Sequence, residues 1–249
     1  MTRVVIVGGS GRMGRALVAC AGACDIEVVG VIASAHSPAV GQDAGEMAGV
    51  HRLGVAVTTD LGAALRAAQV VIDFSLPHFA RDHVDQCALA RAPLVLGTTG
   101  LPEDIEADLA RAAVRIPLLV APNTSLGVAL LQDLVQRAAK ALPADFDVSI
   151  AEAHHRAKKD APSGTALALG RSVSAGREGR VEFAVVRGGD VVGEHSVRFL
   201  GTGEEVSLGH RATDRAIFAR GALQAATWLA GQKPGRYSMR DVLGINSIT

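Results

Sequence analysis

The chain has 249 residues, 49% of them hydrophobic, and its 25 Lys plus Arg balance 25 Asp plus Glu. That length suits one large domain or two small ones, and the hydrophobic fraction excludes global disorder. Zero formal charge removes a whole-molecule electrostatic case for nucleic acid or a membrane surface, so any anion site must be local. Three cysteines, Cys20, Cys24 and Cys87, make a poor disulfide framework. Cys20 and Cys24 lie four apart and read as small apolar residues of a helix. No apolar run approaches the roughly 20 residues of a membrane span, and no basic region precedes the opening apolar run. The expectation is a soluble, cytoplasmic protein.

The first strand, Thr2 to Val7, breaks into Gly8-Gly9-Ser10-Gly11-Arg12-Met13-Gly14 and continues as the helix-like Arg15-Ala16-Leu17-Val18. Strand, glycine turn and helix form a variant of the dinucleotide fingerprint. Missing side chains let the backbone turn sharply and approach a pyrophosphate, which sits on the free N–H groups of the helix start. A second strand, Ile26 to Ala33, ends in Ser34-Ala35-His36, where an NAD site carries an acid for the ribose hydroxyls. The missing acid leans toward NADPH, with Arg12 or His36 to meet a 2′-phosphate, and leaves NADH open.

Residues 34–54 show no period, and Gly41 to Gly49, holding Asp43 and Glu46, reads as a surface loop. Val55 to Thr58 is a short strand, and Asp60 caps a helix from Leu61 to Ala68. Val70 to Ser75 is a buried strand ending in Asp73-Phe74-Ser75. Pro77 starts a helix at a permitted position, and its His78 and His83 read as surface or packing residues. Pro93 to Leu96 is closed by Gly97-Thr98-Thr99-Gly100; a helix spans Pro102 to Val114; Pro117 to Val120 runs into Ala121-Pro122-Asn123-Thr124. This alternation predicts an α/β fold with a Rossmann-like, doubly wound parallel sheet. Ligands bind beyond the carboxyl ends of such strands, so these polar ends line one crevice with the glycine loop.

A helix from Gly127 to Leu142 follows, then a half-exposed strand in which Phe146, Val148 and Ile150 alternate with Asp147 and Ser149. It leads into Glu152-Ala-His-His-Arg-Ala-Lys-Lys-Asp-Ala-Pro-Ser-Gly-Thr165. After a helix from Ala166 to about Ser174, the strands Val181 to Val186, Val191 to Leu200 and Glu205 to His210 read as an antiparallel meander with turns at Gly188-Gly189 and Gly201-Thr202-Gly203. The second domain is thus α+β with a mixed or antiparallel sheet. Arg215 to Ala230 is helical with Trp228 packing, and Met239 to Leu243 lies in the tail.

The stretch from Glu152 to Thr165 carries the chemistry. A histidine, with an unperturbed pKa of about 6.5, exchanges protons near neutral pH. Lys158 can donate a proton or hold a carboxylate, and Asp160 can pair with either lysine. Ser163, Gly164 and Thr165 offer hydroxyls and helix-start N–H groups to a carboxylate. His154 and His155, on opposite faces of a strand, chelate one ion poorly, and no metal is expected. Competing readings are a basic loop capped by Ser163, another Rossmann oxidoreductase, and a dinucleotide-sensing protein without turnover.

Together these residues resemble the 4-hydroxy-tetrahydrodipicolinate reductase family nearly end to end. The likeness runs through Gly8 to Gly14, Asp43-Ala-Gly-Glu46, Asp73-Phe-Ser75, Gly97 to Gly100, Ala121 to Gly127, Glu152 to Arg156, Lys158, Asp160 to Thr165, Arg187-Gly-Gly-Asp190, Gly193-Glu-His195 and the Met-Arg-Asp-Val-Leu tail. The His-His to Ser-Gly-Thr block is its specific part. The resemblance implies hydride transfer from NADPH or NADH to a cyclic dicarboxylate of diaminopimelate and lysine biosynthesis. It implies His154 as general acid/base and Lys158 as proton donor, with His155, Ser163, Gly164 and Thr165 binding substrate. Gly8, Gly9, Ser10, Gly11, Arg12 and Met13, with Gly97, Thr98, Thr99, Ala121, Pro122, Asn123 and Thr124, would bind the cofactor. It further implies a cofactor domain of residues 1–125 with a return at about 215–249, a substrate and oligomerisation domain of 126–214, and a homotetramer built through the second sheet. Two departures are Ser34-Ala35 in place of an acid followed by arginine, and the brief loop Gly176-Arg-Glu-Gly-Arg180.

Overall fold

A computed structural model describes residues 1–245. In chain order the elements are β1 (Thr2–Val7), α1 (Arg12–Ala21), β2 (Ile26–Ile32), α2 (Ala44–Ala48), β3 (Val57–Thr58), α3 (Leu61–Leu65), β4 (Val70–Asp73), α4 (Ala80–Ala90), β5 (Leu94–Leu96), α5 (Glu106–Ala113), β6 (Pro117–Val120), α6 (Leu126–Ala141), β7 (Asp147–His154), α7 (Gly164–Gly176), β8 (Val181–Arg187), β9 (Gly193–Gly201), β10 (Glu204–Ala212), α8 (Ala216–Leu229), β11 (Gly235–Tyr237) and α9 (Met239–Val242). The chain divides into two compact units, Met1–Ser125 with Phe218–Val242, and Leu126–Ile217 with the described residues from Leu243. The last four residues of the expected return, 246–249, lie outside the described residues.

The first unit holds a sheet of order β11-β6-β5-β4-β1-β2-β3, parallel at every pairing. Its central strands are apolar without alternation because both faces are covered: Val70, Val71, Ile72, Leu94, Val95 and Leu96 are fully buried. β11 is not legible in the sequence. It is three residues, Gly-Arg-Tyr, without an apolar run, and its register on β6, Gly235 opposite Pro117 and Tyr237 opposite Leu119, places it. Trp228 packs there, its ring 5.2 Å from Tyr237 and edge-on.

Residues 41–49 are not a plain surface loop. Asp43 caps α2 and is nearly buried. Its Oδ1 accepts from the Gly45, Glu46 and Leu53 amides and its Oδ2 from Gly54. The Leu53 bond, joined by the others against burial, holds its carboxyl below the usual range. Asp60 caps α3 as expected, accepting from the Ala63 amide at 2.8 Å. Cys20 and Cys24 are half-buried.

In the second unit the sheet order is β10-β9-β7-β8. β7 pairs with β8 in parallel and with β9 antiparallel, and β9 pairs antiparallel with β10. The expected meander is therefore corrected: β8 and β9 do not pair, because β7 lies between them and α7 is the crossover a parallel pair requires. Gly201-Thr202-Gly203 does join neighbouring antiparallel strands. Gly188-Gly189 instead folds onto the end of β7, with the Gly188 amide donating to His154 O and the Arg156 amide to Gly189 O. Turn residues show where a chain bends, not which strand it rejoins. The core comprises Leu131 and Val135 of α6, Leu169 and Val173 of α7, and Val148, Ile150, Val197 and Phe199 of the sheet. Burial of each such large side chain stabilises by about 1.5–3 kcal/mol. Among the described residues no helix is long and apolar enough to cross a membrane.

Candidate active site

The glycine loop leaves β1 at Gly8, whose φ is +78°. A Cβ there would lie 2.7 Å from Phe74 O, and one on Gly14 would lie 2.4 Å from Gly8 O. The loop and the first turn of α1 therefore pack backbone on backbone. Gly11 is the extended N-cap of α1 and contributes no side-chain cap, which suits the helix start to a phosphate. Arg15 ties the loop from outside, donating to Ser10 O and Met47 O at 3.1 Å each. Gly9 is buried, Ser10 and Met13 are half-buried, and Arg12, Ser34, Ala35 and His36 are exposed.

The neighbouring strand ends contribute the rest. A Cβ on Gly97 would strike the Phe74 ring at 2.3 Å. Thr98 is buried and its hydroxyl donates to Ser75 O at 3.2 Å, while Thr99 is exposed. Asp73 is fully buried and meets His83 Nδ1 at 2.8 Å, so His83 is held by a polar contact. After β6, Ala121 is buried, Pro122 exposed, and Asn123 Oδ1 accepts from the Ser125 amide. Thr124 turns its hydroxyl inward to Phe218 O at 2.7 Å. Thr98 and Thr124 thus shape their loops. The glycines serve the loop's own close packing, and the start of α1, without a side-chain cap, leaves N–H groups that suit a dinucleotide's phosphates.

The second cluster is built on β7. Val148, Ile150, Glu152 and His154 share its buried face. The Glu152 side chain has no exposure. Its Oε1 accepts from Arg187 Nη2 at 2.8 Å and from the Ser163 amide at 2.9 Å. Its Oε2 meets His154 Nδ1 at 2.6 Å, off the ideal hydrogen-bond direction, a misalignment common in unliganded sites. Burial opposes ionisation of Glu152, yet Arg187 and Ser163 outweigh it and hold the carboxyl low. Burial pushes His154 below the ordinary histidine value, Lys158 and Arg187 add to this, and Glu152 opposes them.

Lys158 Nζ lies 2.8 Å from Asp160 Oδ1, and that ammonium chiefly holds the Asp160 carboxyl low. His155 is half-buried, and its carbonyl accepts from the Lys158 amide. Ser163 is the N-cap of α7, its Oγ accepting from the Ala166 amide and meeting His195 Nε2 at 3.2 Å. Gly164, exposed, and Thr165, half-buried, form the first turn of α7, two residues earlier than predicted. His195 faces Glu152 across the β7–β9 pair, with its ring 5.1 Å from His154. Burial first, then the charges of His154 and His210, take its pKa down to about 4.

Sequence reasoning singled out His154, His155, Lys158, Ser163, Gly164 and Thr165 and assigned nothing to Glu152, Arg187 or His195. The signal for Glu152 was present: a carboxylate on the apolar phase of an alternating strand must find partners. Glu152, His154 and His195 bring ligand-capable atoms within 4.8 Å of one another. Ligands on a tetrahedral ion stand about 3.3 Å apart. The 2.6 Å contact and the Arg187 guanidinium on the same carboxylate suit a proton instead.

Residues 2–124 match the family model described as dihydrodipicolinate reductase, N-terminus, and residues 127–243 match its C-terminus counterpart. The 4-hydroxy-tetrahydrodipicolinate reductase of Alkalilimnicola ehrlichii is 49% identical, covering 98% of this chain and 99% of that protein. That of Thiobacillus denitrificans is 47% identical, with 98% of each covered. Among solved structures, the dipicolinate-bound dihydrodipicolinate reductase from Paenisporosarcina sp. TG-14 has the same fold, with a TM-score of 0.80 at 23% identity over 96% of this chain and 97% of that one. Two matched halves and near-full-length relatives establish that the chain belongs to the dihydrodipicolinate reductase family.

Proposed function

We propose that this protein carries out the NAD(P)H-dependent reduction of 4-hydroxy-tetrahydrodipicolinate to tetrahydrodipicolinate, in diaminopimelate and lysine biosynthesis. The observation that carries the reading is the buried Glu152–His154 pair beside Lys158 and the start of α7. A proton carrier, a cation and a carboxylate seat come together there, on a chain that also has a dinucleotide cradle.

When bound, the reduced nicotinamide supplies hydride. The substrate hydroxyl departs as water while the neighbouring carbon loses a proton, which leaves a carbon–carbon double bond conjugated to the ring imine. Hydride adds to one end of that bond and a proton to the other, and His154 and Lys158 carry these protons. His155, Ser163, Gly164 and Thr165 hold the substrate carboxylates. Gly8 to Met13, Gly97 to Thr99 and Ala121 to Thr124 hold the cofactor, so the first unit is the cofactor domain and the second the substrate domain. The missing acid after β2 favours NADPH, and Ser34 and Ala35, which do not grip a 2′-phosphate, leave NADH open. A homotetramer forms through the second sheet, a reading supported by Phe183, Val185 and Val186, which are exposed on the edge strand β8. The enzyme works in the cytoplasm.

The test is the absorbance of reduced nicotinamide, with substrate made in situ by the preceding synthase. Oxidation should require both enzyme and substrate. His154→Gln and Lys158→Ala should each lower kcat by about 10²–10⁴-fold and leave NADPH binding unchanged. No oxidation with either nucleotide would overturn the activity. Loss of nucleotide binding in either variant would overturn the assignment of the two residues.

A further inference from the structure

We infer that Glu152 is the positioning residue of this site: one buried carboxylate selects the nitrogen of His154 that exchanges protons and pins the loop that carries the substrate seat. This rests on the role proposed for His154.

An ionised carboxylate only accepts. The proton in the 2.6 Å contact between Glu152 Oε2 and His154 Nδ1 therefore sits on Nδ1, and Nε2 is the atom left to exchange. The Nε2 edge faces Gly193, where an added Cβ would come within 3.1 Å of it, so no side chain on that residue crowds the exchanging atom. The carboxylate thus sets the ring at one nitrogen, and Gly193 leaves room beside the other.

The second half of the inference concerns Ser163. Glu152 Oε1 accepts its amide at 2.9 Å and Arg187 Nη2 at 2.8 Å. The same Arg187 nitrogen donates to Asp160 O at 2.5 Å. Both ends of the Asp160-Ala-Pro-Ser163 segment are therefore fastened to one carboxylate, directly at Ser163 and through Arg187 at Asp160. Displacing that carboxylate releases the proton carrier and the seat together.

The charges around His154 show what Glu152 does to its titration. Lys158 from the following loop and Arg187 from β8 disfavour the imidazolium, as does burial. His195 of β9, flanked by His210 of β10, is held neutral near pH 7. Asp160 is paired with Lys158. Glu152 is the group in this set that favours a protonated His154.

The experiment is the pH profile of kcat/KM, with substrate generated in situ, for wild type, Glu152→Gln and His154→Gln. Gln keeps the shape, removes the charge, and can turn an N–H toward Nδ1. Glu152→Gln should bind NADPH as wild type does, lose up to about 10⁴-fold in kcat, the size of the loss of tautomer control in a buried carboxylate–histidine pair, and show the fall of activity with rising pH at a lower pH than wild type. A Glu152→Gln profile that keeps the wild-type midpoint would show a merely structural carboxylate. Full turnover in His154→Gln would instead strike the role of His154 itself, a separate failure. Should Glu152→Gln fail to fold, nitrogen NMR of the wild-type imidazole decides. Neutral His154 must carry its proton on Nδ1, and a proton on Nε2 overturns the inference.

Discussion

His195 should make the second unit sensitive to mild acid. It is 6% exposed and its pKa is about 4, against 6.5 unperturbed, chiefly because burial penalises the imidazolium. Between those values the unfolded chain takes up a proton that the folded chain refuses. Stability from this group is therefore complete above pH 6.5 and lost as pH falls toward 4. At about 1.4 kcal/mol per pH unit, the loss reaches about 3 kcal/mol. The assay is urea unfolding, followed by circular dichroism, of wild type and His195→Gln between about pH 7.5 and 4. Carboxylates titrate in both proteins, so the difference between the two curves isolates His195. Wild type should lose about 3 kcal/mol more than the variant across this range. Parallel curves would refute the reasoning and place His195 in contact with water or with a compensating charge.

Other consequences can be tested separately. Gly14→Ala puts a Cβ 2.4 Å from Gly8 O and should weaken NADPH binding more than about 10-fold, read by nicotinamide fluorescence. Phe199→Ala empties a fully buried position and should cost about 3–5 kcal/mol in chemical denaturation. Arg91 ends α4 with φ +56°, so Arg91→Gly should stabilise by about 0.5–1 kcal/mol and raise Tm.

Legibility varied with how local the determinant was. The cofactor half was readable because each strand, glycine turn and helix of a parallel sheet announces itself within a few residues. β11 was missed because three residues carry no period, and only the open edge of β6 gives them a place. Asp43 looked like a loop acid because its partners Leu53 and Gly54 lie ten and eleven residues on. The meander was misassigned because β7, β8 and β9 each read as strands, while their pairing depends on which neighbour buries the better face. At the candidate site, the sequence pointed to the residues with reactive side chains and not to the groups that hold them. Arg187 and His195 reach Glu152 and Ser163 from 35 and 32 residues away.

The sequence by itself determined the Rossmann-like half, the order of its strands along the chain, and the concentration of proton carriers between Glu152 and Thr165. These follow from local backbone needs: glycine where the chain turns against itself, apolar runs where both faces are covered, a serine where a helix begins. Only the tertiary structure decided that β7 runs between β8 and β9, bringing Arg187 and His195 onto opposite sides of one buried carboxylate. A charge can remain in a core only if distant strands deliver its partners, and strand pairing, which no local pattern specifies, makes that delivery.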